Sequence, residues 1–172
     1  MDEQKLVKGI GGWLAFLILV LVAISPLISW TSLTGTIAQI ESNTPTYLLS
    51  DQWQNYKTAE WVLLIVTVGM SMSAGISLYR NHRPGSVNYT IFCLWAIGIG
   101  SPITDLLITL GFFGSDKMNA ALPLTLGELI RGFFVAGIWT AYLMKSKRVR
   151  NTYYSEPVAN ATVVESADDN TG

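Results

Sequence analysis

The stretch that decides the fold is IGGWLAFLILVLVAISPLISWT, residues 10–31, which contains no charged side chain. An α-helix rises about 1.5 Å per residue, so about 20 apolar residues cross the roughly 30 Å hydrocarbon core of a bilayer. The apolar core of a signal peptide is shorter, about 7–15 residues, and a small-residue cleavage site follows it. Because this run is longer and no such site follows, we interpret it as a retained first membrane span.

Three further predominantly apolar segments of about the same length follow, at about 60–79, 89–113 and 122–144. Half of the 172 residues are hydrophobic and only 13% are charged, well below the charged share of a soluble domain. The sequence therefore predicts an all-α polytopic membrane protein, a four-transmembrane-helix bundle within residues 1–153. Residues 154–172 are predicted to be a disordered acidic tail, because they combine acidic and small polar residues without a basic one.

Basic residues concentrate on one side of this predicted bundle. Eight of them flank the termini and the turn after the second span, whereas only Lys57 and Lys117 lie on the opposite side. Cytoplasmic loops carry the excess of Lys and Arg, so both termini are predicted to be cytoplasmic. After the fourth span the basic residues form a collar that we expect to meet anionic lipid; its members are Lys145, Lys147, Arg148 and Arg150.

The loop between the first two spans, residues 32–59, is long enough to hold structure of its own. Thr44 and Pro45 are typical of a helix start, and the pattern predicts an interfacial helix at about 45–58. Leu49, Trp53 and Tyr56 would then share one face at helical spacing. Two interpretations stay open for this face, a lid over the bundle and a surface for a partner or substrate.

Ionisable residues inside membrane spans are costly and usually functional. Asp105 lies in the third span, and Glu128 and Arg131 lie in the fourth. Measured from the predicted span ends at about 1.5 Å per residue, the three reach a common level in the outer half. We therefore predict an intramembrane polar cluster. Either Arg131 bridges the two acids as a structural ion network, or the group lines a cavity that relays protons or holds a polar solute or a lipid headgroup.

The third span also carries a predicted kink. Pro102 frees the carbonyl group four residues before it from its helical hydrogen bond, and Gly98 and Gly100 are nearby. Irregular backbone at membrane depth persists only where protein or a watery cavity covers it. The kink would therefore face the interior of the bundle.

Conventional catalytic and cofactor sites lack their parts in this chain. There is one His and one Cys, and no nucleophile-elbow, zinc-helix or P-loop motif occurs. We expect no enzyme activity, metal or cofactor. Near-neutral net charge without a basic stripe gives no reason to expect nucleic acid. The predicted partners are the lipid bilayer and a membrane protein or a second copy. The preferred function is interaction or accessory work, and the alternative is a small transporter or proton-coupled carrier.

Two terminal motifs carry a resemblance to a known family. They are KGIGGWL at residues 8–14 and the pattern from Trp139 through Tyr142 to SKRVRNTY at residues 146–153. Over residues 8–153 the chain resembles the YdgK-like bacterial inner-membrane proteins of unknown function. The resemblance implies a bacterial inner-membrane location and four helices, and it implies no activity.

Overall fold

The structure, a computed structural model, describes residues 11–154, and within that range every regular element is helical. The first helix, α1, runs from Trp13 to Asn43 and includes a π-helical segment at Val20–Ile24. A 3₁₀ turn at Pro45–Leu49 leads into α2, Asp51–Arg80. Nearly all of the predicted acidic tail lies outside the described residues.

The second half of the chain folds as a helical hairpin. Helical structure extends over Pro84–Lys145, but Gly114 breaks it with φ 78° and ψ −175°, a conformation open to glycine alone. We name the two arms α3, residues 84–113, and α4, residues 115–145. The arms are antiparallel, because Trp95 of α3 donates its indole N–H to the Thr140 hydroxyl of α4 at 3.1 Å. A short helix, α5, follows at Lys147–Tyr153.

Three helical stretches are long and apolar enough to cross a membrane, namely Trp13–Asn43, Asp51–Arg80 and Pro84–Lys145. Since the third folds back at Gly114, the stretches supply four crossings. This confirms the predicted all-α four-helix architecture. One end of the bundle holds Gly12 and α5, and we call it the terminal end. The other holds Gly114 and the 3₁₀ turn, and we call it the hairpin end.

The interfacial helix predicted at 45–58 does not form as a separate element. Residues 45–49 are a 3₁₀ turn, and residues 51–58 are the first two turns of α2. The predicted long loop also disappears, because α1 continues well past Thr31. The hydroxyl groups of Thr31 and Thr34 donate hydrogen bonds to carbonyl groups within α1. The helix therefore tolerates polar β-branched residues beyond the apolar run.

Leu49 does not share a face with Trp53 and Tyr56, contrary to the sequence prediction. Leu49 is 93% exposed, whereas Trp53 is 2% exposed. Ser50 separates them with an extended backbone, and its hydroxyl accepts from the Trp53 N–H as the N-cap of α2. A helical projection across residue 50 therefore does not apply.

Apolar packing concentrates toward the terminal end. The buried core there joins all five helices through Leu14, Leu17, Leu78, Val87, Leu143 and Val149. Two close approaches fix the helix spacing. A Cβ at Gly75 of α2 would lie 2.5 Å from a methyl group of Val22 in α1, and a Cβ at Gly132 would lie 1.9 Å from the Gly98 carbonyl oxygen.

The predicted basic collar is mostly helical and is anchored to the bundle by α5. Val149 and Tyr153 are buried, and the Tyr153 hydroxyl donates to the Leu78 carbonyl oxygen at 2.5 Å. Lys145, Lys147 and Arg150 stay exposed, whereas Arg148 is partly buried with its guanidinium against Gly11 and Gly12. Contact of the exposed members with lipid remains a prediction.

Candidate functional site

The three residues of the predicted intramembrane cluster do not come together. Within residues 11–154 the only ion pair joins Lys57 to Glu41. Asp105 is partly buried between helices, whereas Glu128 and Arg131 are exposed on α4. The hypothesis that Arg131 bridges Asp105 and Glu128 is therefore wrong for this structure.

Depth and direction both separate the three residues. Asp105 lies about 12 Å from the end of α3 at Phe113, but α4 begins at residue 115, which puts Arg131 about 24 Å from the hairpin end. The contact of Gly132 with Gly98 places that part of α4 below Asp105 as well. Successive residues of a helix turn by about 100°. Since Gly132 faces α3, Arg131 beside it points away from the bundle.

Asp105 instead meets Glu60 of α2. The Glu60 side chain is 8% exposed, and its Oε1 atom is the one buried side-chain polar atom without a hydrogen-bond partner among residues 11–154. The Asp105 carboxyl group neighbours the Glu60 carboxyl group. Two carboxylates offer acceptors only, so a bond between them forms when one carries a proton. We call Glu60 and Asp105 the acidic pair.

Two hydroxyl groups accompany the acidic pair, each one helical turn away toward the hairpin end. Tyr56 precedes Glu60 by four residues on α2, and Thr109 follows Asp105 by four residues on α3. The Tyr56 hydroxyl lies close to Thr109 and to Glu60. Because hydroxyls can donate or accept, this arrangement can hold the acidic pair in more than one protonation state.

An aromatic cluster closes the hairpin end above the acidic pair. Trp53 stacks on Tyr56 with ring centroids 5.4 Å apart, and Tyr56 meets Phe113 edge to face at 5.1 Å. Tyr47 also stacks on Trp53, with ring centroids 5.5 Å apart. The Gln52 side chain donates to the Phe112 carbonyl group and so ties α2 to the end of α3. Of the predicted outer surface, Trp53 and Tyr56 thus belong to a lid over the bundle.

The Trp53 ring is also held from α1. Its indole N–H donates to Glu41 Oε1 at 3.0 Å, and Lys57 Nζ contacts the same oxygen at 2.7 Å. These groups border an open groove of about 390 Å³ between α1 and α2, lined in part by Thr34, Gln54 and Trp61. The acidic pair is not part of that groove.

The segment predicted as a kink adopts a π-helix at Ala96–Gly100, and Pro102 follows in the next turn. Gly98 lies in this segment and contacts Gly132 of α4. π-helical segments are rare and occur often at functional sites. This one lies on α3 between Asp105 and the terminal end.

Glu60 was missed by the sequence reasoning because it stands at the polar boundary of an apolar run, where a charged residue is ordinary. A signal was nevertheless available. Tyr56 and Glu60 share one face of α2, as Asp105 and Thr109 share one face of α3. Matching hydroxyl–carboxyl pairs on neighbouring helices predict that the two faces meet.

One family model, described as a protein of unknown function (DUF2569), matches residues 7–154. The match covers the whole helical bundle and α5, and it ends where the predicted acidic tail begins. No curated protein and no solved structure matches the chain.

Proposed function

The chain belongs to the DUF2569 family of proteins of unknown function, and we propose that it is a non-enzymatic membrane protein that binds and releases a proton at the acidic pair. One observation carries the proposal. Glu60 is buried with an unpartnered carboxyl oxygen, and the group facing that carboxyl is a second acid, Asp105.

A shared proton resolves what is otherwise an unfavourable contact. Two ionised carboxylates side by side repel each other, and a buried acceptor without a donor costs about 1–3 kcal/mol. One proton turns the contact into a hydrogen bond. Tyr56 is the other titratable group at Glu60, and no basic side chain forms an ion pair with either acid in the described chain. A bound proton would therefore stabilise the acidic pair, which has no basic side chain among the described residues to neutralise it.

Infrared difference spectroscopy of the full chain in lipid nanodiscs tests the proposal. Stepping the pH should reveal a protonated-carboxyl stretching band that titrates, and both Glu60→Gln and Asp105→Asn should remove it. Asp116→Asn, at an exposed carboxyl of the hairpin end, is the matched control and should leave the band unchanged. Retention of the band in both pair variants, or its absence from the wild type, would reject proton binding at this site.

A proton-coupled carrier is the second candidate, and the π-helical segments of α1 and α3 favour it. Carrier sites commonly use helices with irregular backbone near the middle of the membrane. In this version Asp105 acts with Glu60, and not with Glu128 and Arg131. Uptake profiles of cells with and without the chain would identify a transported solute. If Asp105→Asn abolishes that uptake at unchanged protein abundance, the carrier is supported; unchanged uptake would exclude it.

We also propose an inner-membrane location in bacteria with both termini in the cytoplasm. The distribution of basic residues supports the orientation, since six of those in residues 11–154 lie toward the terminal end and two toward the hairpin end. The resemblance of the terminal motifs to bacterial inner-membrane proteins supports the location. In this orientation the acidic pair lies in the outer half of the membrane.

A further inference from the structure

One face of α4 is unoccupied by the rest of the bundle and follows a heptad pattern. Its residues are spaced alternately by four and three positions, the spacing with which two helices pack along each other. Leu124 is 77% exposed and Ile138 is 66% exposed, and the three seam residues between them are exposed as well. We call this face the α4 seam; it consists of Leu124, Glu128, Arg131, Val135 and Ile138.

The charged members of the seam need partners. Glu128 and Arg131 lie near the middle of α4, and neither forms an ion pair within residues 11–154. Ionised side chains at the centre of a bilayer are costly and almost always pair or face a protein interior. Lipid acyl chains provide neither hydrogen bonds nor counter-charges for these two side chains. This stretch of α4 is therefore expected to pack against another protein surface.

We propose that a second copy of this chain covers the seam, with the two α4 helices packed side by side. In this dimer Glu128 of one protomer pairs with the partner's Arg131, and Arg131 pairs with the partner's Glu128. The interface is distinct from the acidic pair and does not depend on the function proposed for it.

Symmetry makes a second copy the fitting occupant. Copies inserted in one membrane share an orientation, so their α4 helices run parallel and their seams lie at equal depth. Glu128 and Arg131 are three residues apart, about 4.5 Å along the helix axis, within reach of an arginine side chain on a parallel neighbour. A two-fold axis then yields two identical ion pairs and no net charge, because each surface is its own complement.

Small side chains next to the seam permit close contact. Gly127 is exposed beside Glu128, and a Cβ placed there would meet nothing within 4 Å in this chain. Glycine at a helix surface lets a second helix approach closely in a membrane, where packing and polar contacts drive association. The seam thus has apolar residues at both ends and charged residues at its centre, and Gly127 beside it leaves space for a neighbouring helix.

Disulfide cross-linking in native membranes tests the contact. The full chain carries one cysteine, Cys93, which is buried, and Cys93→Ala supplies a background without thiols. In that background Leu124→Cys and Ile138→Cys should give a cross-linked dimer on oxidation. The matched control is Leu107→Cys on α3, at a position 58% exposed, which should remain monomeric. Equal cross-linking at all three positions, or none at the seam with normal abundance, would overturn the proposal.

Charge exchange between copies separates this dimer from an ion pair within one helix. Glu128→Arg gives a chain with two basic seam positions, and Arg131→Glu gives one with two acidic positions. Neither variant can pair within its own helix or with itself. When both are produced in one cell with different tags, the dimer model predicts that they cross-link to each other through position 124 at least five times more than either does to itself.

Recovery of pairing only in the mixed cells supports the dimer. If the two variants fail to associate when both are present at normal abundance, the reciprocal ion pairs do not exist. If instead the double variant Glu128→Arg with Arg131→Glu restores abundance while mixed cells do not, the pairing is within one helix, and the dimer is excluded.

Discussion

The carboxyl group of Glu60 is buried next to the carboxyl group of Asp105, and the energetic cost of that contact depends on whether the pair carries a proton. Glu60→Gln supplies a permanent N–H donor toward Asp105 without a change of shape. We expect the variant to unfold at a higher temperature than the wild type at alkaline pH, where the wild-type pair has lost its shared proton, by about 1–3 kcal/mol in unfolding free energy. Thermal unfolding in detergent measures it, with Asp116→Asn as the control. A lower midpoint for Glu60→Gln alone would contradict this account.

Tyr153 is held by one hydrogen bond and by stacking on His82 at 5.7 Å. Burial raises the pKa of Tyr153 to about 12, so the hydroxyl keeps its proton at neutral pH and donates to Leu78. Tyr153→Phe keeps the ring and loses the donor, and we expect a loss of about 1 kcal/mol. Limited proteolysis after α5, compared with Tyr154→Phe at an exposed position, reports the loosening. Equal cleavage of the two variants would show that the bond does not hold α5.

Residue types alone indicated which side chains were unusual, but not which ones met. Asp105 was singled out from the sequence, and the structure places it partly buried on α3 beside Glu60 of α2. Hydropathy alone did not indicate its partner, because pairing depends on the rotation of α2 about its own axis. Hydropathy reports how apolar a segment is, and it is insensitive to that rotation. Arg131 was misplaced for the related reason that the starting residue of α4 was unknown.

At the scale of whole helices, the spacing of α3 and α4 depends on a pair of glycines. In Gly132→Ala the new methyl group would overlap the Gly98 carbonyl oxygen, at 1.9 Å. The arms must separate, and we expect a loss of about 1–3 kcal/mol. Gly137→Ala is the matched control, because a Cβ at Gly137 meets nothing within 4 Å. Unfolding midpoints that fall equally for both variants would rule out this contact as the determinant.

The start of α2 provides a second comparison between neighbouring positions. Trp53 is 2% exposed within the aromatic cluster, whereas Leu49 is 93% exposed on the 3₁₀ turn. We expect Trp53→Ala to destabilise the protein by about 3–5 kcal/mol and Leu49→Ala to change little. Tryptophan emission and thermal unfolding follow both variants. A comparable loss in Leu49→Ala would restore the single face that the sequence predicted.

Helix ends were harder to predict than helix interiors. The apolar run of α1 ends at Thr31, and hydropathy correctly indicated a helix apolar enough to cross a membrane. The helix continues to Asn43 because polar residues such as Thr34 also satisfy their groups within it. Length in a helix is set by backbone hydrogen bonding and capping, whereas the membrane crossing is set by apolarity. The end of a helix therefore coincides with the end of its apolar run only where a capping residue directly follows the last apolar residue.

The proposed orientation of the whole bundle can be tested with reporter fusions. We expect a reporter active only in the cytoplasm to be active when fused after Tyr154, and a periplasmic reporter fused there to be inactive. The physical reason is the excess of basic residues at the terminal end. Insertion of the same reporters after Asp116, next to the hairpin turn, is the reciprocal control. Activity of the periplasmic reporter at the C-terminal fusion would show that the bundle has the opposite orientation.

The single-residue break at Gly114 has a consequence for how the protein is made. An Arg or an acid at the centre of a lone helix opposes its entry into the bilayer by about 2.5–3.5 kcal/mol each, and α4 contains both Arg131 and Glu128. Because only one non-helical residue separates the arms, we expect α3 and α4 to enter the bilayer together as a helical hairpin. The insertion cost of Glu128 and Arg131 would then be offset by the more apolar α3.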